Sequence, residues 1–274
     1  MLIQANGVRL FAVEAGQGDP ALVLIHGNGG DHTAWHGQIA YFSPITRVIA
    51  VDLRGFGGSG KDPEGQYTQD KFVADTAAVL NASGVRGAVV AGWSMGASVA
   101  ARLAVQHPEL AAAVALVDHN AGGVHAELGI PEHERYATKL VVQGLAEDFE
   151  GRGMRTFVDS WFPESGPDVD FLKQWLWEMG LKTGRDVIYG IRSIGVKEDR
   201  KVWLQRLSVP VLIMQGGASY LGGKPVAAYL RKVIPHARVH IFEGHGHGLM
   251  LTAADEFNAV LHEFWREVAA RPSP

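Results

Sequence analysis

The chain has 274 residues, 47% of them hydrophobic, enough to bury one large core with room for a small accessory lid. Its 25 basic and 29 acidic residues leave a net charge of -4, which gives no electrostatic footprint for nucleic acid or an anionic membrane. It has no Cys, which excludes disulfides, thiol catalysis and thiolate metal sites. The opening MLIQANGVRLFAVEAG lacks the basic stretch and long apolar run of a signal peptide. No apolar run approaches the ~20 residues of a membrane span. These features predict a soluble cytoplasmic protein with no nucleic-acid or membrane partner; its motifs point to a small-molecule substrate. They leave the oligomeric state open.

In chain order, VRLFAVEA (8–15) alternates in hydrophobicity and predicts an antiparallel edge strand. ALVLIH (21–26) and RVIAVDL (47–53) are nearly continuous in apolar residues, as are strands buried on both faces of a parallel sheet. YTQDKFVADTAAVLNAS (67–83) has helical spacing. GAVVAGW (87–93) is the next buried strand, SMGASVAARLAVQHPEL (94–110) an Ala-rich helix that stops near Pro108, and AAVALVD (112–118) a further strand. Residues 119–205 then hold no buried strand, but carry Met154, Trp161, Phe162, Phe171, Trp175, Trp177 and Met179. A helical cap inserted over the carboxyl ends of the strands fits this stretch, and those aromatics either line a ligand site or build the cap's own core. VPVLIMQ (209–215) resumes the sheet, and 224–233 and 253–269 complete the helices. The expected fold is α/β, a mostly parallel open sheet flanked by helices, with 1–118 and 206–274 as core and 119–205 as the cap insertion.

Gly92-Trp93-Ser94-Met95-Gly96 fits G-x-S-x-G in its required setting, with a buried strand before it and a helix after it. The turn places Ser94 in a strained conformation above the sheet, and the two glycines leave room for neighbouring backbone. The helix that follows aims its free N–H groups at the reacting oxygen. The plainer alternative is an ordinary Ser capping a helix. IHGNGG (25–30) follows the first buried strand and is placed to form an oxyanion hole from the backbone N–H groups of Asn28 and Met95. His26 reads as a structural residue of that turn, and the Asn28 side chain could also face substrate.

With HGNGG, VDLRGFGGSG (51–60), GWSMG and the late GHGHG (244–248), the chain resembles the α/β-hydrolase fold family along essentially its whole length. That family includes esterases, lipases, lactonases, haloalkane dehalogenases, C–C hydrolases, hydroxynitrile lyases and cofactor-free dioxygenases, so the fold does not name the reaction. The resemblance puts the catalytic base at His247, with His245 lining an entrance or facing solvent. The usual acid follows strand seven. Here Gly216-Gly217-Ala218-Ser219 has the turn without the Asp, and no acid occurs from 207 to 242. Some members carry the acid one strand earlier, where this chain has Asp118, giving Ser94, His247 and Asp118 as the expected triad. Asp118 could instead only bond local backbone; Asp52, Asp75 and Asp199 are weaker candidates. Trp93, Trp161, Phe162 and Trp175 are the candidate substrate-lining residues. No His pair has metal-ligand spacing, and neither metal nor cofactor is expected.

Three functions remain open at this stage. The first is hydrolysis of a small to medium, partly apolar ester or lactone through an acyl-enzyme on Ser94. The second is cofactor-free dioxygenation or another non-hydrolytic reaction run by the His–Asp pair. The third is ligand binding without catalysis. Haloalkane dehalogenation is disfavoured, because its nucleophile is Asp where this chain has Ser94.

Overall fold

The computed structural model describes residues 1–121, 128, 141, 143–195 and 200–271. Eight strands form one sheet: β1 (Leu2–Ala5), β2 (Val8–Ala15), β3 (Leu22–Ile25), β4 (Val48–Asp52), β5 (Ala88–Trp93), β6 (Ala111–Val117), β7 (Val211–Gly216) and β8 (Arg238–Phe242). Their spatial order is β1-β2-β4-β3-β5-β6-β7-β8. β3 to β8 run parallel, and β1 and β2 are antiparallel. β3 to β7 are buried along their length, as their continuous apolar runs demand.

Three strands depart from expectation: β2 in its place, and β1 and β8 in existing at all. β2 is antiparallel but is not the edge, because it pairs with β1 on one side and β4 on the other. Alternation reports that one face of a strand meets water, not whether the strand is outermost. The overlooked signal is Asn6-Gly7, a two-residue hairpin turn with φ of 51° and 78° that folds Leu2–Ala5 back onto β2. The real far edge, β8, is only partly buried over most of its length and lacks the continuous apolar run of the central strands.

Helices α1 (His36–Phe42), α2 (Gln69–Ala82) and α3 (Met95–Gln106) join the first strands. Thr68 caps α2 by accepting from the Lys71 N–H, with Asp70 in the first turn. Among the described residues between β6 and β7 the regular elements are helical: α4 (Met154–Asp159), α5 (Pro167–Thr183), α6 (Arg185–Gly195) and α7 (Arg200–Gln205). Pro167 opens α5 with Asp168 and Asp170 in its first turn. After β7 come α8 (Gly223–Val233), α9 (Leu249–Thr252) and α10 (Ala254–Ala269). α10 buries Phe257, Leu261, Phe264, Trp265 and Val268, one face at helical spacing. No helix among the described residues is long and apolar enough to cross a membrane.

From β3 the chain moves outward to β4, then returns to lay β5 on the other side of β3. Such a switch point opens a crevice at the carboxyl ends of the strands. The turns after β3 and β5, carrying Asn28 and Ser94, meet there.

Beside this crevice lies a buried ion network. Arg54 donates from Nε to Asp75 Oδ2 (2.5 Å), from Nη2 to Asp75 Oδ1 (2.6 Å) and from Nη1 to Asp62 Oδ2 (2.5 Å). Asn6 Nδ2 also donates to Asp75 Oδ1 (2.9 Å), which ties the β1–β2 turn to α2. A forked guanidinium matched to a carboxylate organises the loop after β4, but removing one partner strands a buried charge. Asp75→Ala is therefore expected to cost about 3–5 kcal/mol of folding free energy, read by urea denaturation. A loss under about 1 kcal/mol would place the network outside the folding core.

Candidate active site

The turn after β5 is sharply bent. Ser94 sits at φ 56°, ψ −112°, and its side chain makes no capping hydrogen bond. That geometry rules out the plain helix-cap role and costs about 1–3 kcal/mol of backbone strain. The Ser94 N–H donates to the Val117 carbonyl (2.8 Å), fastening the turn to β6. A Cβ on Gly92 would strike the Gly96 carbonyl, and one on Gly96 the carbonyls of Ile25 and His26, so neither position has room for a side chain. Ser94 is partly exposed, and its hydroxyl forms no hydrogen bond with the described residues. Met95 opens α3, so its N–H has no acceptor within the helix.

The turn after β3 lies directly against the serine: a Cβ on Gly27 would come within 3.1 Å of the Ser94 Cβ. His26 holds this turn in place. Its Nε2 accepts from the Leu53 N–H (3.1 Å), which leaves Nδ1 protonated to donate to the Gly27 carbonyl (2.8 Å). Burial lowers the His26 pKa below its ordinary value against the pull of Asp52, so the ring stays neutral and structural. Asn28 is buried, and its Nδ2 donates to the Ile188 carbonyl of α6 (3.1 Å) while Oδ1 has no partner.

Asp118 is the carboxylate that meets His247. This residue ends β6 at φ 44°, a left-handed conformation that Asp tolerates better than most residues, and is wholly buried. Its Oδ1 accepts from the Gly216 N–H (2.9 Å). Its Oδ2 accepts from Ser219 Oγ (2.6 Å) and from His247 Nδ1 (2.5 Å). The turn after β7, where no acid stands, thus supplies a hydroxyl and an amide to the carboxylate of its neighbour strand. With Nδ1–H given to Asp118, the basic nitrogen of His247 is Nε2. The other acids are occupied elsewhere. Asp75 pairs with Arg54, and Asp52 accepts from the His32 N–H (2.7 Å), His32 Nδ1 (2.9 Å) and the Gly58 N–H (2.7 Å). Asp199 lies outside the described residues. Asp31, His32 and Asp52 are close enough to share an ion; here Asp31 Oδ1 accepts from the Thr33 N–H (2.8 Å) and His32 Nδ1 bonds Asp52.

The four candidate lining residues separate. The Trp161 ring is 5.8 Å from the His247 ring and 5.1 Å from the Trp93 ring. Trp93 and Trp161 are both wholly buried; Trp93 Nε1 donates to the His247 carbonyl (2.9 Å), so Trp93 braces the His247 main chain while Trp161 packs by its ring. Phe162 is buried against Gly248. Trp175 stands apart, edge-on to His36 at 5.6 Å. Sequence reasoning missed Tyr220, whose half-buried ring packs edge-on to His247 at 5.4 Å. It missed Ser219 as well, reading the turn after β7 only for an absent acid. His245 does not simply face solvent: Nδ1 meets Glu164 Oε1 (3.0 Å) and Thr252 Oγ1 (2.9 Å).

A sequence model of the alpha/beta hydrolase fold matches residues 20–179, more than half of the chain, and the chain belongs to that family. It is 26% identical to a 2-hydroxymuconate semialdehyde hydrolase of Pseudomonas putida, across 98% of this chain and 94% of that protein. It is 28% identical to 3-oxoadipate enol-lactonase 2 of Acinetobacter baylyi, across 88% and 87%. An esterase from Exiguobacterium antarcticum has the same fold, with a TM-score of 0.86 at 20% identity over 97% of this chain and 98% of the other.

The His32–Asp52 pair should give the loop after β3 a pH-dependent tie. The hydrogen bond that His32 donates to Asp52, reinforced by the carboxylate's charge, raises the His32 pKa above its ordinary value despite partial burial. A raised folded-state pKa stabilises fully below the unfolded value of about 6.5 and is lost as pH rises through the folded value. The stability gap between wild type and His32→Ala is therefore expected to be larger near about pH 5.5 than near about pH 9, read by denaturant midpoints. A gap that widens on the alkaline side would contradict this.

Proposed function

We propose that this chain is a serine hydrolase that cleaves a small to medium, partly apolar ester or lactone through an acyl-enzyme on Ser94. In this reading Ser94 Oγ attacks the carbonyl carbon while His247 Nε2 takes its proton. The N–H groups of Asn28 and Met95 face the oxyanion. His247 then returns the proton to the departing alkoxide oxygen, and a water attacks the acyl group with His247 again as base. Asp118 holds the imidazole in the required tautomer. The insertion 119–205 serves as a cap, and Trp161, Phe162 and Tyr220 make the surroundings of His247 suited to an apolar acyl or aryl group. The observation that carries the reading is the His247–Asp118 hydrogen bond (2.5 Å), made beside an uncapped, strained Ser94. The relatives' names agree with hydrolysis, and one of them is a lactonase.

A second reading rests on one specific observation. Because Ser94 Oγ is not hydrogen-bonded to His247 here, the His–Asp pair could instead deprotonate a bound aromatic substrate that then reacts with oxygen. Catalytic hydrogen bonds are often long before substrate binds, so hydrolysis remains the better-supported reading.

Fluorophosphonate treatment with peptide mapping by mass spectrometry is expected to give a single adduct on Ser94, absent in His247→Ala. An unlabelled but folded protein that consumes oxygen with an aromatic substrate would favour the second reading. Asp118→Asn is expected to lower ester turnover by about 10⁴ with a near-native circular dichroism spectrum. Turnover close to wild type would remove Asp118 from the triad. His245→Ala should fall far short of His247→Ala in its effect; the reverse ranking would exchange the two histidines.

A further inference from the structure

His247 is gripped twice. Asp118 holds its ring. Its main chain is held by a short strap, residues 161–164, that runs between α4 and α5. The His247 N–H donates to the Trp161 carbonyl (2.7 Å), which also receives the Gly248 N–H at 3.4 Å. A Cβ on Gly246 would strike Pro163 and the Trp161 carbonyl, and one on Gly248 would strike Phe162. The strap ends on Glu164. Its Oε1 receives His245 Nδ1 (3.0 Å), the Gly246 N–H (3.3 Å) and Thr252 Oγ1 (2.9 Å). These three donors come from the His turn itself and from α9 just beyond it.

We propose that Glu164 is a positioning residue for His247: it locks the strap 161–164 onto the turn 245–248, so that the base is correctly placed only when this part of the cap is seated. The inference rests on the reading of His247 as the base. Three features support it. The carboxylate sits at the convergence of donors from the start of the turn and from the helix that follows it. The glycines on the turn admit close contact that any side chain would block. The carbonyl two residues before Pro163 bonds the base's own N–H. Glu164 is mostly buried, where hydrogen bonds to a charged acceptor are stronger than neutral ones. Because three donors share one oxygen, loss of His245 alone leaves two of them, so His245→Ala is expected to be mild. Loss of the carboxylate removes all three at once. Catalytic efficiency is steeply sensitive to such placement, since a displacement of about 1 Å can cost about 10²-fold.

The test compares Glu164→Ala, Glu164→Gln and Glu164→Asp in the full chain, using 4-nitrophenyl acetate hydrolysis and the downfield NMR signal of the His247 Nδ1 proton. That signal is assigned by its loss in Asp118→Asn. Glu164→Ala is expected to lower kcat about 10- to 100-fold with KM within about twofold, and to broaden the proton signal. Glu164→Gln, which keeps an acceptor oxygen, recovers most of both. Glu164→Asp, one methylene shorter, behaves like Glu164→Ala and serves if the alanine variant does not fold. A sharp proton signal and unchanged kcat in Glu164→Ala or Glu164→Asp would overturn the proposal. So would Glu164→Gln as impaired as Glu164→Ala, or a loss confined to KM. If wild type fails to label at Ser94 while the proton signal still responds to Glu164, acyl transfer falls and the clamp stands.

Discussion

The site depends on one buried carboxylate. Asp118 lies at the end of β6 with no exposure to water, and a charge there is tolerable only if every lone pair facing protein is met. It is met by an amide from β7's end, a hydroxyl from the following turn and the imidazole of His247. Those three groups come from two separate chain segments, so the carboxylate fixes the relative position of β6, the β7 turn and the histidine loop. The left-handed φ of Asp118 aims the side chain back across the sheet end, and the bond from its own N–H to the Met214 carbonyl continues the parallel ladder up to that point. Ser219 completes this shell: its hydroxyl gives the carboxylate a donor without adding a second negative charge.

The rest of the crevice is built by the same logic of satisfied polar groups at strand ends. Neutral His26 ties the turn after β3 to the one after β4, and Asp52 gathers three donors from two loops. The Arg54 fork closes the next layer. The backbone strain at Ser94 persists because β6 receives its N–H and the neighbouring glycines let β3's turn press against it. A rigid floor of this kind can present one serine in an otherwise unfavourable conformation. Among the described residues the segment between β6 and β7 is tied to this floor by Asn28 to Ile188 and by the Trp161–Glu164 strap, both close to Ser94 and His247.

Much of this was legible without coordinates. The buried strands, the long helices and the serine turn carry strong local signals: continuous apolar runs, helical spacing and paired glycines. Local signals fail where partners are far apart in the chain. The alternation of VRLFAVEA could not say that another strand lies outside it, because pairing at an edge is not encoded in which face is wet. Trp161 and Trp175 look equivalent as cap aromatics, yet one packs by His247 and the other by His36. Likewise Glu164 has no motif of its own, since its partners lie 81 to 88 residues further on.

By itself, then, the sequence determined an α/β sheet with a serine at a strained strand-to-helix turn, because sterics and burial act between near neighbours and leave their mark in short patterns. It also pointed to the residue at the end of AAVALVD as a partner for His247, by having no acid after strand seven. Only the tertiary structure decided that Asp118 meets His247, that Ser219 bonds the same carboxylate, and that Trp93 braces the His247 main chain. Those are contacts between segments far apart in the chain, and hydrogen bonds across such distances are set by how the sheet brings its strand ends together.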